Sequence, residues 1–426
     1  MKITSSCLTL LAFAAASLFG AVDEIKKSAS PGSILKKGAR LAIVGDSITE
    51  QKQYSKFIET YLLACMPHLE VQSLQFGWGG ETAPGFANRM ENDLVPWKPD
   101  VVTTCYGMND GRYRKYDEKI GEAYEKGMRR ILDRMKESGA IVVVGSPGVV
   151  DSQTWAKNDP DRDKVYNENL DQLRQIAHRL ADENGFRFAD VFGAMMDSMV
   201  KSKAALGEAY HVGGRDGVHP AANGHLVMAY AFLKGLGLDG NLGTVTLDWK
   251  SGAAKAEGGH KVVGNASGTL TLESTRYPFC FSGDAQNPNG TRSILPYSSF
   301  NQDLNRFTLV VKGLPGGAKV KWGAATKSFS SAQLAAGINL AAEFLENPLI
   351  EPFNQVLQAV ARKQKFETHM IKGQITKFRS SPKTDQARAA NEVLRKKLFA
   401  ENDELHQSAK EAVKAVRHEL VITPGG

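Results

Sequence analysis

The chain has 426 residues, enough for two or three domains, and its 42% apolar and 23% charged residues are an ordinary globular mixture. That excludes a disordered chain, a collagen-like repeat and a coiled-coil rod, and four cysteines are too few for a disulfide-built scaffold. The formal charge of +7, from 53 Lys and Arg against 46 Asp and Glu, is spread along the chain rather than gathered on one tail, which argues against a nucleic-acid partner.

In chain order, residues 1–21 come first and read as a signal peptide. Lys2 supplies the positive end, 8–19 form a short apolar run, and small residues follow at Gly20 and Ala21. This implies export, periplasmic or extracellular, with no membrane span once the signal is removed. An uncleaved anchor helix is the alternative. Removal would take Cys7 and leave Cys65, Cys105 and Cys280, an odd number that does not support a full disulfide framework.

Residues 22–241 form the next unit. Strand-like runs at 41–46, 69–76, 100–107, 141–147 and 186–191 are nearly continuous in apolar residues, as strands buried on both faces are. Helical patterns at 116–138, 165–184 and 221–236 lie between or after them. In the second, Tyr166, Leu170, Leu173, Ala177 and Leu180 recur at spacings of four and three. Alternation of this kind predicts an α/β class fold with a parallel sheet covered on both faces. Functional residues are then expected at the carboxyl ends of the strands. Residues 242–331 change texture. Alternating segments at 244–249, 268–273, 307–311 and 319–322 predict a small antiparallel β module. Residues 332–426 read as a helical C-terminal region, its last helix running over 384–417.

Four short segments carry candidate chemistry: Gly45-Asp46-Ser47 after the first strand, Gly77-Trp78-Gly79-Gly80-Glu81-Thr82 after the second, Gly107-Met108-Asn109-Asp110 after the third, and Asp216-Gly217-Val218-His219-Pro220 before the last helix of the unit. A serine opening a helix is a weak nucleophile until a base removes its proton. His219 has the right acidity for that base. Asp216, three residues earlier, can reach the other ring nitrogen, fix the tautomer and stabilise the imidazolium. A tetrahedral intermediate also needs donors for its oxyanion, and the N–H groups of Ser47 and Gly80 and the side-chain amide of Asn109 are candidates. Trp78, Arg112, Tyr113 and Trp155 fall on the same end of the sheet and are candidate substrate-binding residues. His211 and His225 flank the last segment, but no carboxylate or cysteine shows metal-ligand spacing with them, so no metal site is expected.

The four segments resemble the four blocks of the SGNH hydrolases, the GDSL esterase/lipase superfamily, over residues 38–238. The first block reads Gly-Asp-Ser-Ile-Thr in place of Gly-Asp-Ser-Leu. The resemblance implies a flavodoxin-like three-layer α/β/α fold with about five parallel strands. It implies ester hydrolysis through an acyl-serine intermediate without metal or organic cofactor. Ser47, Asp216 and His219 would be the catalytic set, with Ser47, Gly80 and Asn109 as the oxyanion hole. The expected substrate is a small-molecule or glycan ester, with a short acyl group such as acetyl on carbohydrate favoured. A lipase or lysophospholipase of the same fold and a non-catalytic glycan-binding protein are the competing expectations. Oligomeric state is left open.

Overall fold

The structure, a computed structural model, describes residues 32–151, 159 and 161–425. The signal peptide expected at 1–21 and the candidate Trp155 lie outside these residues.

The first unit builds as β1 (Arg40–Gly45), α1 (Tyr54–Thr60), β2 (Gln72–Gln75), α2 (Ala83–Asp93), β3 (Val101–Cys105), α3 (Glu118–Glu137), β4 (Ile141–Gly145), α4 (Arg162–Asn184), β5 (Arg187–Ala189), α5 (Val191–Leu206) and α6 (Ala222–Gly235). The five strands form one parallel sheet in the order β2-β1-β3-β4-β5. Side chains alternate across it: Leu41 and Ile43 of β1 face the core under α1, α5 and α6, and Ala42 and Val44 face the core under α2, α3 and α4. Both faces are covered, so each strand is buried nearly throughout, as its sequence requires. This is the expected three-layer α/β/α arrangement. Cys65, Cys105 and Cys280 are free and buried.

The rest of the chain adds β6 (Asn241–Asp248), β7 (Ala254–Ala256), β8 (His260–Ala266), β9 (Thr269–Ser274), β10 (Arg306–Lys312), β11 (Ala318–Trp322), β12 (Ala325–Phe329), β13 (Ile338–Asn339), α7 (Ile350–Thr368), α8 (Asp385–Glu411) and β14 (Val416–Pro424). They make two sheets, β13-β10-β6-β7 and β12-β11-β14-β9-β8. The module departs from the sequence reading in two ways. First, β6 and β10 pair in parallel, because the chain crosses through the second sheet before returning beside β6. Second, the last helix ends at Glu411, and residues 416–424, expected to lie in a helical region, are a strand between β9 and β11. His418, Leu420 and Ile422 point inward there, and Trp322 donates its indole N–H to His418 Nδ1 at 3.1 Å. Trp322 is fully buried and serves the core.

The appended region shares its hydrophobic core with the α/β unit. Phe279 packs on Phe57 of α1, on Phe300 and on Phe353 of α7, with ring centroids 4.9–5.9 Å apart. Helix α7 also covers the free edge of β2, a position where unpaired backbone groups invite aggregation. Lys363 Nζ donates to Ser73 O at 2.6 Å, and Glu367 Oε2 accepts from Gln75 N–H at 3.0 Å. Two side chains thus complete part of the hydrogen bonding that a neighbouring strand would supply.

Candidate active site

Strand β1 ends in the helical turn Ser47–Glu50, whose N-cap Asp46 accepts from Ile48 N–H at 2.9 Å. The cap aims Ser47 at the segment before α6. Ser47 Oγ lies 2.9 Å from His219 Nε2, and His219 Nδ1 lies 2.7 Å from Asp216 Oδ2. The other carboxylate oxygen of Asp216 accepts from His219 N–H at 2.8 Å and Val218 N–H at 3.0 Å. Burial pushes the Asp216 carboxyl up, but these two N–H groups and the imidazole outweigh it and hold it below the usual carboxylate range. An ionised Asp216 keeps the proton of His219 on Nδ1 and leaves Nε2 to accept from the Ser47 hydroxyl.

The turn carrying Asp216 and His219 is anchored from below. Asp151, buried, accepts from Val212 N–H at 2.7 Å and from Lys203 Nζ at 2.7 Å, and its own N–H donates to Gly217 O at 2.9 Å. Gly214 has φ +83°, and a Cβ there would stand 1.8 Å from His219 O, so a side chain would displace the histidine backbone.

The second and third segments lie against the same turn. Trp78 N–H donates to Gly45 O at 3.1 Å. A Cβ on Gly77 would come within 2.3 Å of Glu50 N, so this loop runs flush along the backbone that bears Ser47. Gly80 has φ +73°. Asn109 Nδ2 donates to Glu81 O at 3.1 Å, while its Oδ1 accepts from Tyr113 O–H at 3.1 Å. That pair of contacts sets which way the amide faces, and the second Nδ2 hydrogen has no acceptor among the described residues. Tyr113 stays protonated and able to donate, because burial, then the charges of Asp46 and Asp216, push its hydroxyl up to about 12.

Beneath these groups lies a carboxylate-rich floor. Asp110 accepts from Ala83 N–H at 2.9 Å and Gly107 N–H at 3.0 Å, tying the two loops together. Burial raises Asp110 to about 6 and Asp46, with Asp110 and Glu81 nearby, to about 7. Glu81 is held by Arg89 through contacts of 2.6 and 2.7 Å and by Tyr106 O–H at 2.9 Å.

The candidate substrate residues divide. Trp78 is half-buried, and its ring already has the Arg89 guanidinium carbon and Lys372 Nζ each 5.0 Å from its centroid. Arg112 is exposed at the rim, and Tyr113 stacks on Tyr166 at 5.1 Å. Both sit in the left-handed region, φ +57° and +54°, a strained turn that brings Tyr113 back onto Asn109. Of the flanking histidines, His225 accepts from Tyr54 N–H at 3.3 Å and donates to Gln51 Oε1 at 2.7 Å. Burial pulls its pKa down to about 3, so it is a neutral structural link. Among the described residues no three His, Cys, Asp or Glu side chains are placed to hold a metal ion.

Sequence reasoning missed Glu50, Asp151, Lys203 and Lys372. Glu50 is within reach of the motif by number, but nothing in its neighbours marks it. Lys372 lies far along the chain in a charge-rich helical stretch, where one lysine reads like the next.

Residues 43–227 match the GDSL-like Lipase/Acylhydrolase family. The chain is similar to an acetylxylan esterase of Geobacillus stearothermophilus, with 26% identity over 224 residues, 47% of this chain and 95% of that protein. A solved gut microbial diltiazem-metabolizing enzyme has 22% identity and a TM-score of 0.72 over 93% of this chain and 100% of its own, a shared fold that includes the appended region. A solved putative GDSL-like lipase from Parabacteroides merdae, 23% identical, covers 49% of this chain and 99% of its own with a TM-score of 0.41. The likeness to the GDSL-like Lipase/Acylhydrolase family thus falls within the α/β unit and spans Ser47, Gly80, Asn109, Asp216 and His219.

Proposed function

We propose that this protein is an exported serine esterase that removes short acyl groups, acetyl foremost, from carbohydrate. The observation that carries the chemistry is the hydrogen-bonded series Ser47 Oγ, His219 Nε2 and Nδ1, Asp216 Oδ2, at 2.9 and 2.7 Å. His219 Nε2 takes the Ser47 proton as Oγ attacks the ester carbonyl. Asp216 stabilises the imidazolium that results. The N–H groups of Ser47 and Gly80 and the free Nδ2 hydrogen of Asn109 receive the oxyanion. Collapse breaks the ester C–O bond, and the imidazolium returns the proton to the leaving alcohol. A water, deprotonated by His219, then attacks the acyl-serine and releases the acid.

Three things support the substrate class. The groups bonded together at the site are polar: Ser47, His219 and Asp216 form one series, Asn109 joins Glu81 and Tyr113, and Glu50 pairs with Lys372. His219 and Asp216 are 33% and 58% exposed, so the triad faces outward, as a substituent on a bulky glycan requires. The acetylxylan esterase likeness extends over nearly all of that enzyme. Export rests on the residue pattern at 1–21.

The test is hydrolysis of aryl esters from two to sixteen carbons and of acetylated xylo-oligosaccharides. Rates should be highest at two carbons and fall by about 10³-fold or more in Ser47→Ala. A maximum at long chains would replace this reading with a lipase. Equal activity in Ser47→Ala would remove the serine mechanism altogether.

A further inference from the structure

Glu50 stands three residues after Ser47, and its carboxylate is shared between two partners. Oε2 accepts from Gly79 N–H at 2.5 Å, and Oε1 accepts from Lys372 Nζ at 2.6 Å. Gly79 immediately precedes Gly80, whose N–H is a proposed oxyanion donor. A Cβ on Gly79 would sit 2.9 Å from Glu50 Oε2, so glycine is what lets the carboxylate approach the loop this closely. Lys372 belongs to the wider helical turn His369–Gln374 that continues α7, and the same ammonium lies 5.0 Å from the centroid of Trp78 in that loop.

A second line runs from the same helix to the other end of the loop. Gln75 is gripped at its N–H by Glu367 at 3.0 Å and at its Nε2 by Thr368 Oγ1 at 2.8 Å. Its Oε1 accepts from Gly77 N–H at 3.0 Å. Residues 77–80 are therefore held at both ends by side chains that answer to the C-terminal region.

We propose that Lys372, acting through Glu50, is a positioning residue for the oxyanion loop, so that the esterase reading above, on which this rests, includes the C-terminal helices in the catalytic apparatus. Oxyanion donors accelerate a reaction only when they are already aimed at the charge as it forms. A misplacement of about 1 Å is enough to cost about 100-fold. The donors meet the developing oxyanion, not the bound ester, so their misalignment lowers kcat and leaves KM in place. Lys372 and Glu50 are 35% and 24% exposed, and a partly exposed ion pair adds little to global stability. Positioning and structural roles are thereby separable.

The experiment uses the full chain with p-nitrophenyl acetate, and compares Lys372→Met, Lys372→Arg, Glu50→Ala, the Lys372→Met/Glu50→Ala pair and Ser47→Ala. Lys372→Met should lose about 10-fold in kcat, with KM changed less than about 2-fold and Tm by less than about 2 °C. Lys372→Arg should recover most of the rate, since a cation is kept. The double variant should be no worse than Glu50→Ala alone, because both act on one contact. Wild-type kcat in Lys372→Met, a loss carried by KM, additive losses in the pair, or a fall in Tm that tracks the fall in rate would each overturn the proposal. Ser47→Ala separates the two levels. If it is inactive while Lys372→Met is fully active, only the positioning role fails. If Ser47→Ala is active, the esterase reading fails first.

Discussion

In the α/β unit the polar groups of consequence stand at strand ends and remain partly open to water: Ser47, Asn109 and His219 are each half-buried. In the appended region the polar groups of consequence are sealed. Lys363, Gln364 and Glu367 of α7 are completely buried, as is Glu59, which they meet across the interface. Lys363 Nζ lies 2.8 Å from Glu59 Oε1 and contacts Glu367, while Gln364 donates to Glu59 Oε2 at 2.8 Å and accepts from Ser55 O–H at 2.8 Å. The α/β unit keeps Ser47, Asn109 and His219 within reach of solvent above a floor of buried charges. The appended region places its charges where they fix one helix against β2 in one register. An apolar interface could be as strong, but it would not set the direction of Gln75 and hence of Gly77. The candidate reacting groups thus lie in one part, and buried holding groups lie in both.

The strongest way to break this comparison is Lys363→Met. Glu59 and Glu367 would be left buried with no lysine between them, and removing one partner of a buried ion pair costs about 3–5 kcal/mol. Urea or thermal unfolding of the full chain should show a loss of that order. A loss under about 1 kcal/mol would mean the cluster is not what docks α7. Tyr113→Phe tests the opposite side. It removes only the hydroxyl that orients Asn109 Oδ1, at a turn near the surface. One neutral hydrogen bond is worth about 1 kcal/mol, so kcat should fall by about 5-fold with KM and Tm little changed. An unfolding penalty like that of Lys363→Met would erase the distinction between the regions.

The α/β unit was legible because its information is local. Nearly continuous apolar runs marked all five strands, and Ser47, Asn109 and His219 each follow or precede an element whose end fixes their direction. The appended region was less legible because its information is long-range. The alternation in 416–424 reads as a strand only once β9 and β11 are there to pair with it, and the charged helix before it masks the change of period. Lys363, Glu367 and Lys372 are ordinary members of an amphipathic charged pattern. What makes them special is β2 and the Ser47 turn, some three hundred positions away in the chain.

The subtlest expected difference concerns pH. Burial, with the charge of Glu59 adding to it, raises the Glu367 carboxyl to about 7, against the opposing pull of Lys363, from an ordinary 4.5. Between those values the folded chain holds a proton that the unfolded chain releases, so folding takes up a proton there. The contribution of this group to stability is complete below about 4.5 and is lost as pH rises through about 7. Glu367→Gln keeps an acceptor for Gln75 N–H but cannot titrate. The stability of the wild type minus that of Glu367→Gln should therefore decline from pH 4.5 to 7 and then flatten. Asp46 and Asp110, raised to about 7 and about 6, have the same sign but are present in both proteins and cancel in the difference. Melting temperatures of the two proteins across pH 4 to 9 measure it. A constant difference would mean that Glu367 binds its proton alike in the folded and unfolded chains, with Lys363 offsetting burial. The contact between α7 and β2 would then be a plain ion pair with no proton linkage.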